Sequence, residues 1–500
     1  MDFIANMTEY FRNKKIYKHK MDQLCEKFDQ GALAIICALE NHGFEAYAVG
    51  GCVRDLLMHQ IPHDWDITTS ARPEEIISVM EECGWRGIDG SGRRFGTVIA
   101  VVSGESYEVT TFRSEIYGQD SHRPESVVFA KTLEEDLSRR DFTVNAMALG
   151  RDGTLYDYFD GVKDLKNKRL RTVGSAEDRF NEDALRLFRA CRFLGQLDFM
   201  ADGTLVEAIP SAFGRVRGLS LERFKSEIEK LLVSVHAARG LDLMVRTGLN
   251  ECSCRVRERG KTEEIQILPE LSHLVGLPQQ REFHKFDGWY HTLAVVEAAP
   301  RTLILRWAAL LHDVGKGIEG VRAIRAGKYT DYGHDKRGTE MAKDILTRWR
   351  MPSSFINRVS WLVENHMHYH YFANVPEANA VRWLRQIART RQFSSSAEMA
   401  EGMKEITDLC NADIIGCGRD QSSLEGHTEF GRYMVDLCKT IPVSTRDLAY
   451  DQRVIAALKP NVAEGFANLL LRVQNGALEN NPEALLDAAV RYRRRHNEDC

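Results

Sequence analysis

The 500-residue sequence has no apolar run approaching the ~20 residues that span a bilayer. Its first twenty residues interleave Asp2, Arg12, Lys14 and Lys15 with aromatics, and hold no apolar signal-peptide core. These absences lead us to expect a soluble, cytoplasmic protein with no membrane partner. The eleven cysteines are scattered, and the one close pair, Cys252 and Cys254, has a spacing that fits no zinc ribbon. Buried or incidental thiols in a reducing compartment are the expected reading. A dominant charge is missing too: 67 Lys plus Arg against 72 Asp plus Glu leave −5. That balance neither demands nor excludes RNA, because a local basic face suffices for binding. Internal repeats and low-complexity segments are also absent. What remains, 43% apolar and 28% charged residues, is the mixture of a folded globular chain. The length predicts three or four domains.

Local patterns divide the chain into a mixed first part and a helical remainder. Residues 1–45 read as helical, with Leu33, Ile35, Ile36 and Leu39 at helical spacing before Gly43. A short strand, Ala46–Val49, breaks at Gly50-Gly51, and a helix is expected over Val53–Met58. A second strand carries His63–Ile67, and Pro73 marks a helix start. Gly96–Val102 and Tyr107–Phe112 read as a hairpin turning at Ser103-Gly104. Residues 113–126 are polar and predict a mobile loop. From Asp178 helical patterns dominate to 270, and again from 288 to 490. Cys252–Thr262 and the Gly-rich Gly315–Gly333 read as polar linkers or loops. The fold class is therefore α/β or α+β at the start, followed by helical domains.

Gly50-Gly51-Cys-Val-Arg54-Asp55 lies between the first strand and its helix. Glycines there let backbone N–H groups approach a phosphate, and Arg54 adds a charge-assisted contact. Asp64 and Asp66 alternate along the second strand, so both carboxylates face one side. Converging carboxylates repel unless a cation joins them, and hard oxygen ligands suit Mg²⁺ held together with substrate phosphates. Two such ions are a general solution for nucleotidyl transfer. Glu108 is either a third acid or simply an exposed strand residue.

These motifs, followed by Arg139-Arg-Asp141-Phe-Thr-x-Asn145-Ala and Glu182-Asp183-x-x-Arg186, resemble the class II tRNA nucleotidyltransferase and bacterial poly(A) polymerase family. Four motifs occur in order over residues 45–200. The resemblance implies an α+β fold: a polymerase-β-like head, then helical neck, body and tail segments that hold tRNA. It assigns Gly51 and Arg54 to the nucleotide site and makes Arg140 the nucleotide contact that checks for ribose, with Arg139 and Asp141 in support.

Asn181–Phe193 reads as one helix on which Asp183, Arg186, Arg189 and Arg192 recur every third residue as a polar stripe. Cytosine and adenine each place an amino donor beside a ring-nitrogen acceptor. A carboxylate and a guanidinium match that edge and repel uracil or guanine, leaving buried polar groups unpaired when the base is wrong. Asp183 and Arg186 thus form a protein template. The resemblance implies the same role, with Arg189 and Arg192 lining nucleotide or primer phosphates.

Further along, Trp289-Tyr-His291 and Leu310-Leu-His312-Asp313-Val-Gly-Lys316 resemble an HD-type metal phosphohydrolase domain. An adjacent His-Asp pair gives a divalent metal two ligands, and His291 adds one from a preceding helix. The resemblance implies a last ligand, for which Asp413 is the best match, and a phosphate-facing Lys316. His334 and His366 either hold a second metal or phosphate or are ordinary helix histidines. Arg491–Arg495 is either an RNA contact or an exposed basic end.

The expected organisation is a head over 1–170, a helical RNA-binding neck over 171–270, an HD domain over 271–420 and a helical tail over 421–500. The expected activity is CCA addition to the tRNA 3′ end from CTP and ATP, with Mg²⁺ on Asp64 and Asp66 and a divalent transition metal at the HD site. A-only addition, poly(A) synthesis and a purely hydrolytic HD enzyme are the competing readings. CC-only relatives shorten the loop that here spans Ser114–Ser126, so its length argues against CC-only addition.

Overall fold

The computed structural model describes residues 27–88, 96–117, 124–258, 260–375, 377–418 and 420–498. They fall into two compact units, Met1–Pro269 and Glu270–Cys500.

The first unit opens with α1 (Gln30–Asn41), whose Asp29 cap accepts from the Ala32 N–H at 2.9 Å. Residues 1–26 of the expected helical stretch lie outside the described residues. Next come β1 (Ala46–Val49), α2 (Gly51–Leu57), β2 (Asp66–Thr69), α3 (Pro73–Glu82), β3 (Arg86–Ile88), β4 (Thr97–Val102) and β5 (Glu105–Thr111). After β6 (Arg113–Tyr117), β7 (Pro124–Phe129) and α4 (Leu133–Ser138), β8 (Met147–Leu149) and β9 (Leu155–Asp157) return to the sheet. The sheet order is β3-β4-β5-β2-β1-β8-β9, parallel between β2 and β5 and antiparallel elsewhere.

Strand parity decides which face does what. Ala46 and Ala48 of β1, Ile67 of β2 and Tyr107 and Val109 of β5 enter one core with Ile35, Leu39, Ile76 and Met80 of α1 and α3. Val49 joins Phe112, Leu133, Leu137 and Ala148 on the other face. Asp66 and Glu108 stand directly opposite one another in the β2–β5 register and share that second face.

Three expected features differ. Strand β2 begins at Asp66, so Asp64 lies two residues ahead of it. Residues 113–126 are not wholly loop: β6 and β7 pair antiparallel, and 118–123 lie outside the described residues. In β7, Val128 and Phe129 are residue types that favour strands. The interval Cys252–Thr262 belongs to a hairpin, β10 (Ser253–Glu258) and β11 (Lys261–Gln266), which buries Cys254, Val256 and Ile265 while charge occupies its other face.

The rest of the first unit is mainly helical, with α5 (Gly161–Lys166), α6 (Ala176–Glu182), α7 (Leu185–Leu197), α8 (Leu221–Leu232) and α9 (Ala237–Arg246). The expected helix over Asn181–Phe193 breaks at Asp183, which is extended at φ −140°, ψ 106°. Its carboxylate accepts from the Leu185 N–H at 3.0 Å and so starts α7 afresh. Helix α9 approaches α7 so closely that any side chain at Gly240 would collide with the Cys191 carbonyl.

The second unit holds α10 (Gly288–Ala298), α11 (Leu303–Leu311), a hairpin of β12 (Arg322–Arg325) and β13 (Lys328–Asp331), then α12 (His334–Arg348), α13 (Ser353–Asn374), α14 (Ala380–Arg389), α15 (Ser396–Gly416) and α16 (Leu424–Cys438). The hairpin corrects the expected linker over Gly315–Gly333; positive φ at Ala326 and Gly327 gives the two-residue turn that fits strand twist. Trp307 and Trp349 meet edge-on in the buried interior, with centroids 5.0 Å apart. A separate small core joins α17 (Gln452–Leu458), α18 (Val462–Gln474) and α19 (Pro482–Glu498) through Val454, Leu458, Leu469 and Leu485. Arg491 to Arg495 lie on α19, where Arg491 pairs with Asp487 on the surface. Among the described residues no single helix is long and apolar enough to cross a membrane.

Candidate functional site

In the first unit, three acids share one electrostatic environment. Asp66 and Glu108 both have raised pKa values: burial against the protein comes first, the charge of Asp64 adds to it at both, and the charge of Asp66 adds to it at Glu108. Both side chains are nevertheless solvent-exposed, so the crowding reflects a recess rather than enclosure. Arg140 and Arg189 oppose the rise at Asp66. Gly50, at φ +83°, sits in the middle of this group: a Cβ there would lie 3.2 Å from Arg140 and 3.8 Å from Asp66. Gly51, the glycine singled out above, instead opens α2 and faces Arg54. Arg54 is held by Asp55 at 2.7 Å and by the Asn145 side chain at 2.6 Å.

Behind the acids lies Asp136, which the sequence reading missed. Its buried carboxylate accepts from Arg139 at 2.8 and 3.0 Å, from Arg140 at 3.4 Å, from the Thr68 hydroxyl at 3.0 Å and from the Arg113 N–H at 3.3 Å. Burial alone would push it up, yet the two arginines hold its carboxyl below the usual range. Its i, i+3, i+4 spacing to Arg139 and Arg140 was the available signal. Arg140 is the less committed of the pair: its Nε is buried with no hydrogen-bond partner among the described residues.

The stripe expected to read the base is brought to the same region, and its members are bonded to other side chains and carbonyls. Asp183 is bound by Arg223 of α8 at 3.1 Å, a partner that sequence spacing did not show. Buried Arg186 spans Glu182, the Arg179 carbonyl at 3.0 Å and the Arg139 carbonyl at 3.0 Å. Arg189 donates to Asp141 at 2.6 Å, and Arg192 to Glu227 at 2.6 Å and Gln196 at 2.6 Å. Burial lowers Arg192, whereas Asp141 and Glu227 more than offset it at Arg189.

The second unit builds a different kind of centre. Asp287 caps α10 through the Tyr290 N–H at 2.8 Å and seats His291 in its first turns. His312 and Asp313 follow the end of α11, and Asp413 comes from α15. His291 Nε2 lies 3.3 Å from Asp313, 3.2 Å from Asp413 and 3.3 Å from His312 Nε2. His334, at the start of α12, reaches the other Asp313 oxygen at 3.3 Å, and His366 of α13 faces His334 at 3.2 Å. All six side chains are buried or nearly so. Lys316 pairs with Asp313 at 2.6 Å. Burial would raise Asp313 and Asp413, but histidines, with Lys316 beside Asp313, hold both well below the ordinary carboxylate range. Burial would likewise lower His291, but the two aspartates push it up to about 9. His370, four residues past His366 on the same face of α13, binds Asp413 at 2.9 Å; that spacing would have revealed it.

Residues 46–171 match the poly A polymerase head domain, 198–252 a probable RNA and SrmB-binding site of polymerase A, and 288–409 the HD domain. The chain is 44% identical to the CCA-adding enzyme of Lactobacillus helveticus over 308 residues, 59% of this chain and 75% of that protein. The chain belongs to the CCA-adding enzyme family. The CCA-adding enzyme of Geobacillus thermodenitrificans is 45% identical over 335 residues, 61% of this chain and 81% of that one. Among solved structures, the Bacillus stearothermophilus CCA-adding enzyme in complex with CTP superposes with a TM-score of 0.63 at 28% identity, covering 94% of this chain and 99% of that chain. A Thermotoga maritima CCA-adding enzyme complexed with tRNA shares the fold, with a TM-score of 0.57 at 16% identity, covering 96% and 100%. A CCA-adding nucleotidyltransferase implies a divalent metal, and three mutually repelling carboxylates are a donor set that fits one.

Proposed function

We propose that the first unit adds C, C and A from CTP and ATP to the 3′ end of tRNA in the cytoplasm, with Asp64, Asp66 and Glu108 holding Mg²⁺. The observation that carries the proposal is the shared face of Asp66 and Glu108, with Asp64 raising the pKa of both. Bound Mg²⁺ would neutralise the triphosphate and acidify the tRNA 3′-hydroxyl. That hydroxyl forms a new bond to the α-phosphorus as the α–β bridging bond breaks, and pyrophosphate departs with the electron pair.

The protein's own contribution is positioning and charge. Arg140, with an unpaired Nε, donates to the ribose or phosphate, while Asp136 fixes its base and that of Arg139. Asp183 accepts from the exocyclic amino group of C or A, and Arg186 donates to the ring nitrogen. Each already has a protein partner, Arg223 or Glu182, so the base enters by sharing or exchanging those bonds. Selection then costs less reorganisation than burying either charge unpaired.

Incubation with tRNA ending at the discriminator base tests the proposal. CTP alone should extend it by two nucleotides, CTP with ATP by three, and UTP or GTP by none. Extension by ATP alone into a long tail would instead favour poly(A) synthesis.

The second unit is read as a metal-dependent phosphohydrolase centred on His291, His312, Asp313 and Asp413. A divalent metal bound there would polarise a phosphate ester toward attack by water. Lys316 supplies fixed positive charge beside it.

A further inference from the structure

Helix α7 carries one aromatic ring that three arginines share. Phe193 is 4% exposed, and the guanidinium carbons of Arg192, Arg189 and Arg54 stand 4.1, 5.5 and 5.6 Å from its ring centre. A cation within about 6 Å of a ring face is drawn to it by the ring's quadrupole, most strongly where water is excluded. Arg189 precedes Phe193 by four residues, so helix geometry alone brings that pair to one side of α7. Arg54 arrives from α2 of the head. The Phe142 ring meets Phe193 edge-on, with centroids 5.5 Å apart, and seats it against the segment that carries Arg140 and Asp141.

Hydrogen bonds and the ring fix different things. Each guanidinium is a flat fork whose N–H groups lie in its plane. Asp55 and Asn145 bind Arg54, Asp141 binds Nε of Arg189, and Glu227 and Gln196 bind Arg192. A bond at one edge leaves the fork free to swing about that edge, and a ring packed against it restricts the swing. The restriction matters most at Arg189, whose two Nη groups make no hydrogen bond among the described residues. Its charge acts on both Asp66 and Asp183, so this guanidinium lies within electrostatic reach of a metal-site acid and of the carboxylate expected to read the base.

Gathering cations about one ring also has a cost. Burial lowers the pKa of Arg192, and the charge of Arg189 lowers it further. A polyanion would relieve that repulsion. We propose that Phe193 is a positioning residue for nucleotidyl transfer, its ring orienting Arg54, Arg189 and Arg192 to bind the triphosphate of either nucleotide. This rests on the reading of the first unit as a CCA-adding nucleotidyltransferase. The three arginines address phosphates, and base choice falls to Asp183 and Arg186, so weakening the ring loosens CTP and ATP alike.

Ring fluorination in the full-length chain tests the proposal. Phe193 is replaced by mono-, di- and trifluorinated phenylalanine, each fluorine draining the negative face of the ring with little change of shape. Incorporation of CTP into tRNA lacking CCA, and of ATP into tRNA lacking the terminal A, is followed at steady state. Both KM values should climb stepwise, to at least about fivefold for the trifluorinated ring, with kcat within about twofold and misincorporation of UTP and GTP unchanged. Phe193→Leu keeps an apolar side chain without a ring and should raise both KM values by about tenfold. Flat KM values across the fluorinated series would overturn the proposal and reduce Phe193 to core packing, whatever Phe193→Leu does. A rise confined to one nucleotide, or an altered base choice, would also overturn it and assign the ring to base selection. If the unmodified chain extends neither tRNA, the nucleotidyltransferase reading itself falls, and the role of Phe193 with it.

Discussion

The two units solve the same electrostatic problem, like charges or lone pairs forced together, with different materials. In the first, carboxylates crowd one face of a sheet, and packing against the protein, with the charge of Asp64 added, raises the pKa values of Asp66 and Glu108. In the second, histidines and aspartates are interleaved inside a helical bundle, so the acids are driven down and His291 is driven up. An open all-oxygen site suits a hard ion that arrives with each nucleotide and leaves with pyrophosphate. A buried nitrogen-rich site suits a borderline metal that stays. Brief chelation should thus remove the first activity at once and the second slowly.

The largest expected effect breaks the first side of that contrast. Asp64→Ala or Asp66→Ala should slow nucleotide addition by about 10³-fold or more, roughly 4 kcal/mol of transition-state stabilisation. Single-turnover incorporation with Mg²⁺ checks this, with tRNA binding retained.

Asp136→Ala comes next. It strips a buried carboxylate from two arginines at once, which should cost about 3–5 kcal/mol. Thermal unfolding of the full chain should show the loss, and Asp136→Asn should recover only part of it, since neutral amides cannot match the charge of Arg139 and Arg140.

How much of this was legible depended on where each partner lies in sequence. The Asp64-x-Asp66 pair, the Gly-Gly turn and the HD motif are local, so spacing alone located them. Glu108 became interpretable only through the β2–β5 register, which no local pattern encodes. Arg223 and Glu227 reach Asp183 and Arg192 from a helix about 40 residues away, and nothing in their own surroundings announces it. The hairpins at 253–266 and 322–331 were read as linkers because their charge hid alternate buried or β-favouring residues. The helix break at Asp183 was missed for the same reason that made the stripe visible: regular threefold spacing continues across it.

A smaller effect sharpens the template. Asp183→Ala should admit UTP or GTP by about five- to 150-fold, the 1–3 kcal/mol of a bidentate base contact. Arg223→Ala should change fidelity less, and chiefly through KM. If Asp183→Ala weakens all nucleotides equally, its role is to start α7.

The smallest effect concerns pH. Because folding raises the pKa of Glu108 above its ordinary 4.5, the folded state holds that proton more tightly. Metal-free stability should therefore fall as pH rises through the window above 4.5, and Glu108→Gln should remove that decline. With the side chain exposed, the gain at neutral pH should stay under about 1 kcal/mol, or about 2–4 °C in Tm. The acid limb of nucleotide addition should likewise lie above the ordinary carboxylate range.

The separateness of the two centres is best measured in one crosswise experiment. Extension of tRNA by CTP and ATP, and metal-dependent release of phosphate from a monoester, are followed for the Asp64→Ala, Asp66→Ala chain and for the His312→Ala, Asp313→Ala chain. Each variant should lose one activity and keep the other within about twofold. Loss of both activities in either variant, with folding intact, would contradict two independent metal centres.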